Sequence, residues 1–315
     1  MKCRRILAAL LAIAFALPFG AAQAGETYAK VRCAGAERQL CMRISPDGQS
    51  AVMARYYDGV RVTVLCDYGE WLLVSPGETD IGAPGYMNRG SLVFEGEKEY
   101  DAITEAAPWF MSAEPVWALY EDPAEEAEYA LYGRGEAMLL LGETTSGWWH
   151  VRVLRGADGE TYSEGYVPAG ALRETLTAVV NNPNPADRLN LRREWNRTAQ
   201  SLGKYYNGVR VNVLGMPGGE EQPEWALVEI EGTGVRGYMK TAYLAFDEEA
   251  GAVQSAQPQR KLKESVGLKE KAAQSAAEIQ TLPVGTVVRV LGVCGEWLHV
   301  CAEGVYGYLP ESAAE

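Results

Sequence analysis

Positive charge and histidine are what this sequence is short of. Lysine and arginine together number 29 against 42 aspartates and glutamates, and there are only 2 histidines. A formal charge of −13 argues against recognition of nucleic acid or of an anionic membrane by charge. It also disfavours the phosphates of teichoic acids. The acidic residues gather in runs such as Glu125-Glu126-Ala127-Glu128 and Asp247-Glu248-Glu249, without the alternating spacing of a calcium loop. Such runs read as solvated loop charge. No G-x-S-x-G, H-E-x-x-H or phosphate-binding glycine motif is present, so the common frames for acyl transfer, zinc hydrolysis and nucleotide binding are missing. No cofactor is implied. Beyond residue 24 no apolar run approaches the roughly 18 residues that a membrane helix needs.

The first 24 residues have a different character. Lys2, Arg4 and Arg5 precede an apolar core from Ile6 to Phe19, and Ala22-Gln23-Ala24 supplies a small-residue cleavage site. This is an export signal, and its removal leaves a soluble extracytoplasmic chain of charge −16. Five cysteines then remain: Cys33, Cys41, Cys66, Cys294 and Cys301. Five is odd, so at least one thiol is free or pairs between chains. Cys33 and Cys41 are expected to face each other across a hairpin and to form a disulfide, with Cys66 as the alternative partner for either. Cys294 and Cys301 flank a tight turn unevenly and fall out of disulfide reach.

What the sequence does have is a repeat. Leu189 to Leu214 aligns without a gap on Leu40 to Leu65, 149 residues earlier. Leu189-Asn190-Leu191-Arg192 falls on Leu40-Cys41-Met42-Arg43, and Tyr205-Tyr206-Asn207-Gly208 on Tyr56-Tyr57-Asp58-Gly59. Weaker copies surround Val116, Tyr129 and Gly135 and, further on, Val266 to Lys269 and Gly285. Four copies at a spacing of 73 to 77 residues mark a modular array. After its glycine each copy shows an alternating apolar strand, such as Val209-Arg210-Val211-Asn212-Val213. A tryptophan strand follows: Trp71-Leu72-Leu73-Val74, Trp149-His150-Val151-Arg152, Trp225-Ala226-Leu227-Val228 and Trp297-Leu298-His299-Val300. Gly-Tyr closes each copy, at Tyr86, Tyr166, Tyr238 and Tyr308. Period-two alternation with glycine breaks predicts short antiparallel strands. About five strands in 60 residues must curl into a small barrel to bury a core.

These motifs resemble the bacterial SH3 (SH3b) domain, with its opening L-N-x-R strand, G-x-x-V-x-V-L segment, W-x-x-V strand and closing Gly-Tyr strand. The resemblance covers most of the chain after the signal. It departs in the second copy, where Trp117 and Leu119 replace Asn and Arg, and in the fourth, where Leu282-Pro283 replace the paired tyrosines. It implies an all-β chain of four tandem small SH3-like barrels joined by linkers, at residues 28–94, 108–176, 187–246 and 259–312. The connectors are an acidic stretch over 95–107, Thr177 to Pro185, and a flexible Asp247 to Pro258. The resemblance also implies a non-catalytic binding protein that recognises the peptide portion of cell-wall peptidoglycan, several weak copies acting together by avidity. A different reading is a scaffold that gathers exported proteins by binding extended peptides.

Aromatic residues are the candidate contacts. The recurring Trp71, Trp149, Trp225 and Trp297 are first of all expected in the barrel cores. Adjacent strand residues point to opposite faces, so one member of Tyr56-Tyr57 and of Tyr205-Tyr206 must stand outward, as must one of Trp148-Trp149. Counting from Val211 places Tyr205 inward. Tyr56, Tyr57, Trp71, Tyr86, Trp148, Tyr205, Tyr206, Trp225 and Tyr238 are therefore the candidate ligand-binding residues. His150 and His299 sit on the tryptophan strands and are read as structural. The nearness of His299 to Cys294 and Cys301 lacks the scaffold of a thiol peptidase, and the three lack metal-ligand spacing.

Overall fold

A computed structural model describes residues 27–33, 38–78, 81–101, 103, 106–112, 114–133, 135–154, 162–217 and 223–315. The expected export segment and its Ala22-Gln23-Ala24 site lie outside the described residues. The chain is all-β, in two large antiparallel sheets of 14 and 13 strands. The only helix among the described residues besides single 3-10 turns is Asp247–Ala252.

Alternation builds the strands. In Arg210–Gly215 the side chains of Val211 and Val213 are fully buried while Arg210 is exposed, and Val288 and Val290 repeat this in Val287–Cys294. The same pairing pattern recurs four times. A long strand meets the tryptophan strand antiparallel, with a one-residue register shift at Val64/Cys66, Leu140/Gly142, Val213/Gly215 and Val290/Gly292. A bulge of this kind bends the strand so that its two halves serve different neighbours. The tryptophan strand then pairs with the Gly-Tyr strand, with Trp71 opposite Asn88, Trp225 opposite Lys240 and Trp297 opposite Pro310.

That ladder corrects the sequence alignment of the second copy by one residue. Trp148, not Trp149, stands opposite Pro168, so the motif there is Trp148-Trp149-His150-Val151. Trp149 occupies the place of Leu72, Ala226 and Leu298 and packs on the inner cluster of its copy beside Phe110. The expectation that the recurring tryptophans form the cores is corrected with it. Trp71, Trp148 and Trp297 are only half-buried, and Trp225 is buried in a contact between copies rather than in the core of its own.

Four separate closed barrels on linkers are not what the strands form. The sheet of the first copy continues into the second, because Val52–Tyr57 pairs with Ala137–Thr144. Likewise Ser201–Tyr205 pairs with Val287–Cys294, fusing the third copy to the fourth. The expected linkers are also structured. Leu176–Val180 is a strand that pairs with Arg210–Gly215, and Asn181 N–H donates to Tyr243 O. Helix Asp247–Ala252 packs on the third copy, Ala256 N–H donates to Asn207 O, and Val290 N–H donates to Pro258 O. The chain is continuous because these connectors' backbone groups found partners in the sheet.

The junctions rest on close backbone approach. A Cβ on Gly142 would lie 2.6 Å from a ring carbon of Tyr56 and 2.7 Å from Arg55 O. One on Gly292 would lie 2.8 Å from Lys204 O. Both distances are inside contact range, so only glycine permits the pairing. Gly142→Ala and Gly292→Ala are each expected to lower stability by about 1–3 kcal/mol. Gly48→Ala, where the added carbon meets nothing within 4 Å, should change it by less than about 0.5 kcal/mol. Thermal melts of the three variants check this.

Candidate functional site

The candidate tyrosines divide as the parity argument requires, but their inward members serve the neighbouring copy as well as their own. Tyr56 is 1% exposed and Tyr205 0%. Tyr56 meets the His150 ring edge-on at 5.8 Å, and His150 stacks on Tyr166 at 4.7 Å. Tyr205 meets His299 edge-on at 5.8 Å, and His299 stacks on Tyr308 at 4.3 Å. The two triads are 149 residues apart at tyrosine and histidine, so the chain's only histidines hold equivalent places in two junctions. Tyr205 Oη and His299 Nδ1 share a 3.1 Å hydrogen bond, whereas neither His150 nitrogen has a partner among the described residues. Tyr56 and Tyr205 therefore offer no face to a ligand while the junctions are closed.

Their neighbours are also engaged. Tyr57 Oη donates to Glu143 Oε1 at 3.1 Å across the first junction. Burial and then Glu143 push its phenol up to about 12. Tyr206 packs on the core of the fourth copy under the guanidinium of Arg188. Tyr238 is buried with Trp225 and Leu227 against Ala137 and Leu154 of the second copy. Trp148 meets Tyr120 edge-on at 5.2 Å, and Tyr86 meets Tyr68 at 5.7 Å; these and Trp71 remain half-exposed.

The five cysteines among the described residues are free thiols, including Cys33 and Cys41, whose expected disulfide is not formed. Cys33 N–H instead donates to Asp58 Oδ1, and burial, followed by Asp58, pushes the Cys33 thiol up to about 11. Burial raises Cys294 to about 11 and lowers His299 to about 4. A thiolate–imidazolium pair needs both shifts in the other direction. No group of three metal-ligating side chains converges among the described residues.

A concavity with several cations in its lining is in the third copy. A cleft of about 290 Å³ is lined by Leu189, Asn190, Arg192, Arg197, Trp225, Lys240 and Tyr243. Local structure explains its walls. Arg192 Nη1 donates to Ala199 O at 2.7 Å, which ties the loop carrying Arg197 to strand Leu189–Arg192. Arg43 does the same for its loop through Ser50 O in the first copy. Opposite, the pairing of Trp225 with Lys240 puts the ammonium 5.4 Å from the indole ring. Glu224 accepts from both Lys240 and Arg197, and these two, Lys240 foremost, hold its carboxyl below the usual range. The cleft's lining thus holds three cations, two of them paired with Glu224, a local excess of positive charge in a strongly acidic chain. The corresponding cleft of the fourth copy, at Gln274, Trp297 and Pro310, carries Glu296 and Glu311 and no cation. The sequence pointed to Trp225 but not to Arg197 or Lys240. The signal was the third copy's departure from its siblings at these positions, Gly48 and Asn88 in the first and Gln274 and Pro310 in the fourth.

No family model and no curated protein matches the chain. Its structural neighbours include NlpC2 from Trichomonas vaginalis, 14% identical over 45% of this chain with a TM-score of 0.23. The chain spans about half of that protein, 48%. NlpC1 from the same organism is 11% identical over 96% of this chain and 93% of its own, also with a TM-score of 0.23. At that level the likeness carries no argument about activity.

The buried histidines make the junctions sensitive to acid. Burial is the main cause for both, and at His150 the nearby Glu164 opposes it while Arg152 reinforces it. Both rings titrate near 4 in the folded chain against 6.5 when free. Between those values the unfolded chain binds more protons, so this stability is complete above pH 6.5 and is lost as pH falls toward 4. The full loss is about 3 kcal/mol per histidine. Melting temperature should therefore fall more steeply from pH 7 to pH 4.5 in the natural protein than in His150→Phe/His299→Phe. Parallel curves for the two would refute the assignment.

Proposed function

We propose that this chain is an exported, non-catalytic binding protein whose SH3b-like copies recognise the peptide portion of cell-wall peptidoglycan. The cleft of the third copy carries the reading. An aromatic and aliphatic floor at Trp225, Tyr243 and Leu189 suits the body of a short peptide, and Arg197 and Lys240 suit its carboxylates. Glu224 occupies those cations in the free protein, so a ligand carboxylate would take its place. The observed junctions shift the weight given to avidity. Fused sheets replace the flexible connections on which independent weak copies would depend, and recognition is concentrated in one cationic cleft.

Purified sacculi test this directly. The mature protein should co-sediment with them, and Arg197→Ala/Lys240→Gln should bind at least about tenfold more weakly with little change in melting temperature. Gln274→Ala in the fourth copy should bind as the natural protein does. Peptide fragments released from the wall should compete, whereas glycan strands stripped of peptide should not. Sedimentation that ignores the double substitution would remove the cleft from consideration.

A second reading, an extracytoplasmic scaffold for extended peptides, is favoured by one observation: these copies already bind one another by strand addition. Saturable capture of an exported protein, with no binding to sacculi, would select it.

A further inference from the structure

The two ends of the array differ from its internal junctions at the very residues that make those junctions. Three bulge positions receive the backbone of the preceding copy: Gly142 receives Arg55 O, Gly215 receives Gly135 O, and Gly292 receives Lys204 O. A Cβ there would lie 2.6–2.8 Å from the incoming oxygen. In the first of the four copies the bulge follows Val64 and its residue is Cys66. Its side chain stands where an incoming carbonyl would have to sit, since no carbon–oxygen contact tolerates that separation.

The opposite end is altered in a complementary way. Within the array, the strand that adds to the next copy ends in Tyr205-Tyr206, and Tyr206 N–H donates to Leu291 O at 3.0 Å. In the fourth copy Leu282 stands opposite Val266 as Tyr205 stands opposite Leu189, so Pro283 holds the place of Tyr206. Proline has no N–H to donate, and its ring resists pairing on that side of a strand. Both ends also expose apolar side chains: Leu65 and Tyr68 beside Cys66, and Val284 and Val287 beside Pro283. An open sheet edge with such neighbours invites another chain to pair.

We infer that Cys66 and Pro283 are end caps that stop a second copy of this chain from docking head to tail, by the same strand addition that fuses the repeats. The acceptor face and the donor strand are both present on every molecule, and one residue at each end keeps them apart. The natural chain is therefore a finite array rather than a protomer of a filament.

Sedimentation of full-length Cys66→Gly, Pro283→Tyr and the double variant tests this, in reducing buffer so that thiol cross-links do not contribute. The natural protein and each single variant alone should sediment as monomers. An equimolar mixture of the two single variants should double in mass, because one uncapped acceptor meets one uncapped donor and the remaining ends stay blocked. The double variant should form concentration-dependent chains. The mixture keeps the test decisive if the double variant folds poorly. A mixture that stays monomeric, or a natural protein that associates as strongly as the variants, overturns the inference.

Discussion

The architecture depends on how closely one repeat's backbone can approach the bulge of the next. Four small β units could each enclose a core alone, yet at Gly142 and Gly292 the bulge leaves room for a strand of the preceding copy to pair. That approach pairs an extended strand with the bulged strand of the next copy, and it buries a tyrosine on an imidazole of the tryptophan strand. Backbone hydrogen bonds supply direction, and the aromatic contact supplies the desolvated area that makes the pairing durable. Rigidity between repeats follows from this geometry, because a two-strand ladder allows less rotation than a peptide linker.

The two fused junctions share this geometry while differing in chemistry. Between the first and second copies, Glu164 is fully buried and accepts from Arg152 at 2.7 Å and from Glu78 N–H at 2.8 Å. Glu78 reaches Arg152 at 3.3 Å and Arg61 at 3.5 Å. Between the third and fourth copies the facing positions are Gly232 and Tyr306, and a Cβ on Gly232 would meet that ring at 2.6 Å. Buried ion networks are costly to desolvate and severe when broken, whereas an apolar contact degrades gradually. The first junction therefore demands one arrangement of charges, and the second tolerates more adjustment.

The cleft of the third copy lies where this packing leaves a wall uncovered. Most candidate aromatics are consumed by junctions, which explains why recurrent tyrosines need not be ligand contacts. In the third copy Arg192 ties back the loop beside the cleft, and the rim carries cations that are absent from the corresponding cleft of the fourth. In a chain with so many carboxylates, those cations form a local exception to the overall charge.

The amino-acid sequence by itself determined the all-β character, the fourfold repeat and that one tyrosine of each adjacent pair turns inward, because alternation and spacing are local properties of a strand. It also marked Trp225. It could not place Trp148 against Trp149, since two adjacent tryptophans satisfy the same motif until Pro168 fixes the register. Nor could it show that the tyrosines face histidines, because each partner lies 94 residues further along the chain and is brought there only by strand addition. The linkers were misjudged for a related reason: composition reports what a segment can do in water, while Leu176–Val180 and Asp247–Ala252 take their form from the sheet beside them. Tertiary structure decided which surfaces are closed and which stay open, because that depends on a fraction of an ångström at a glycine.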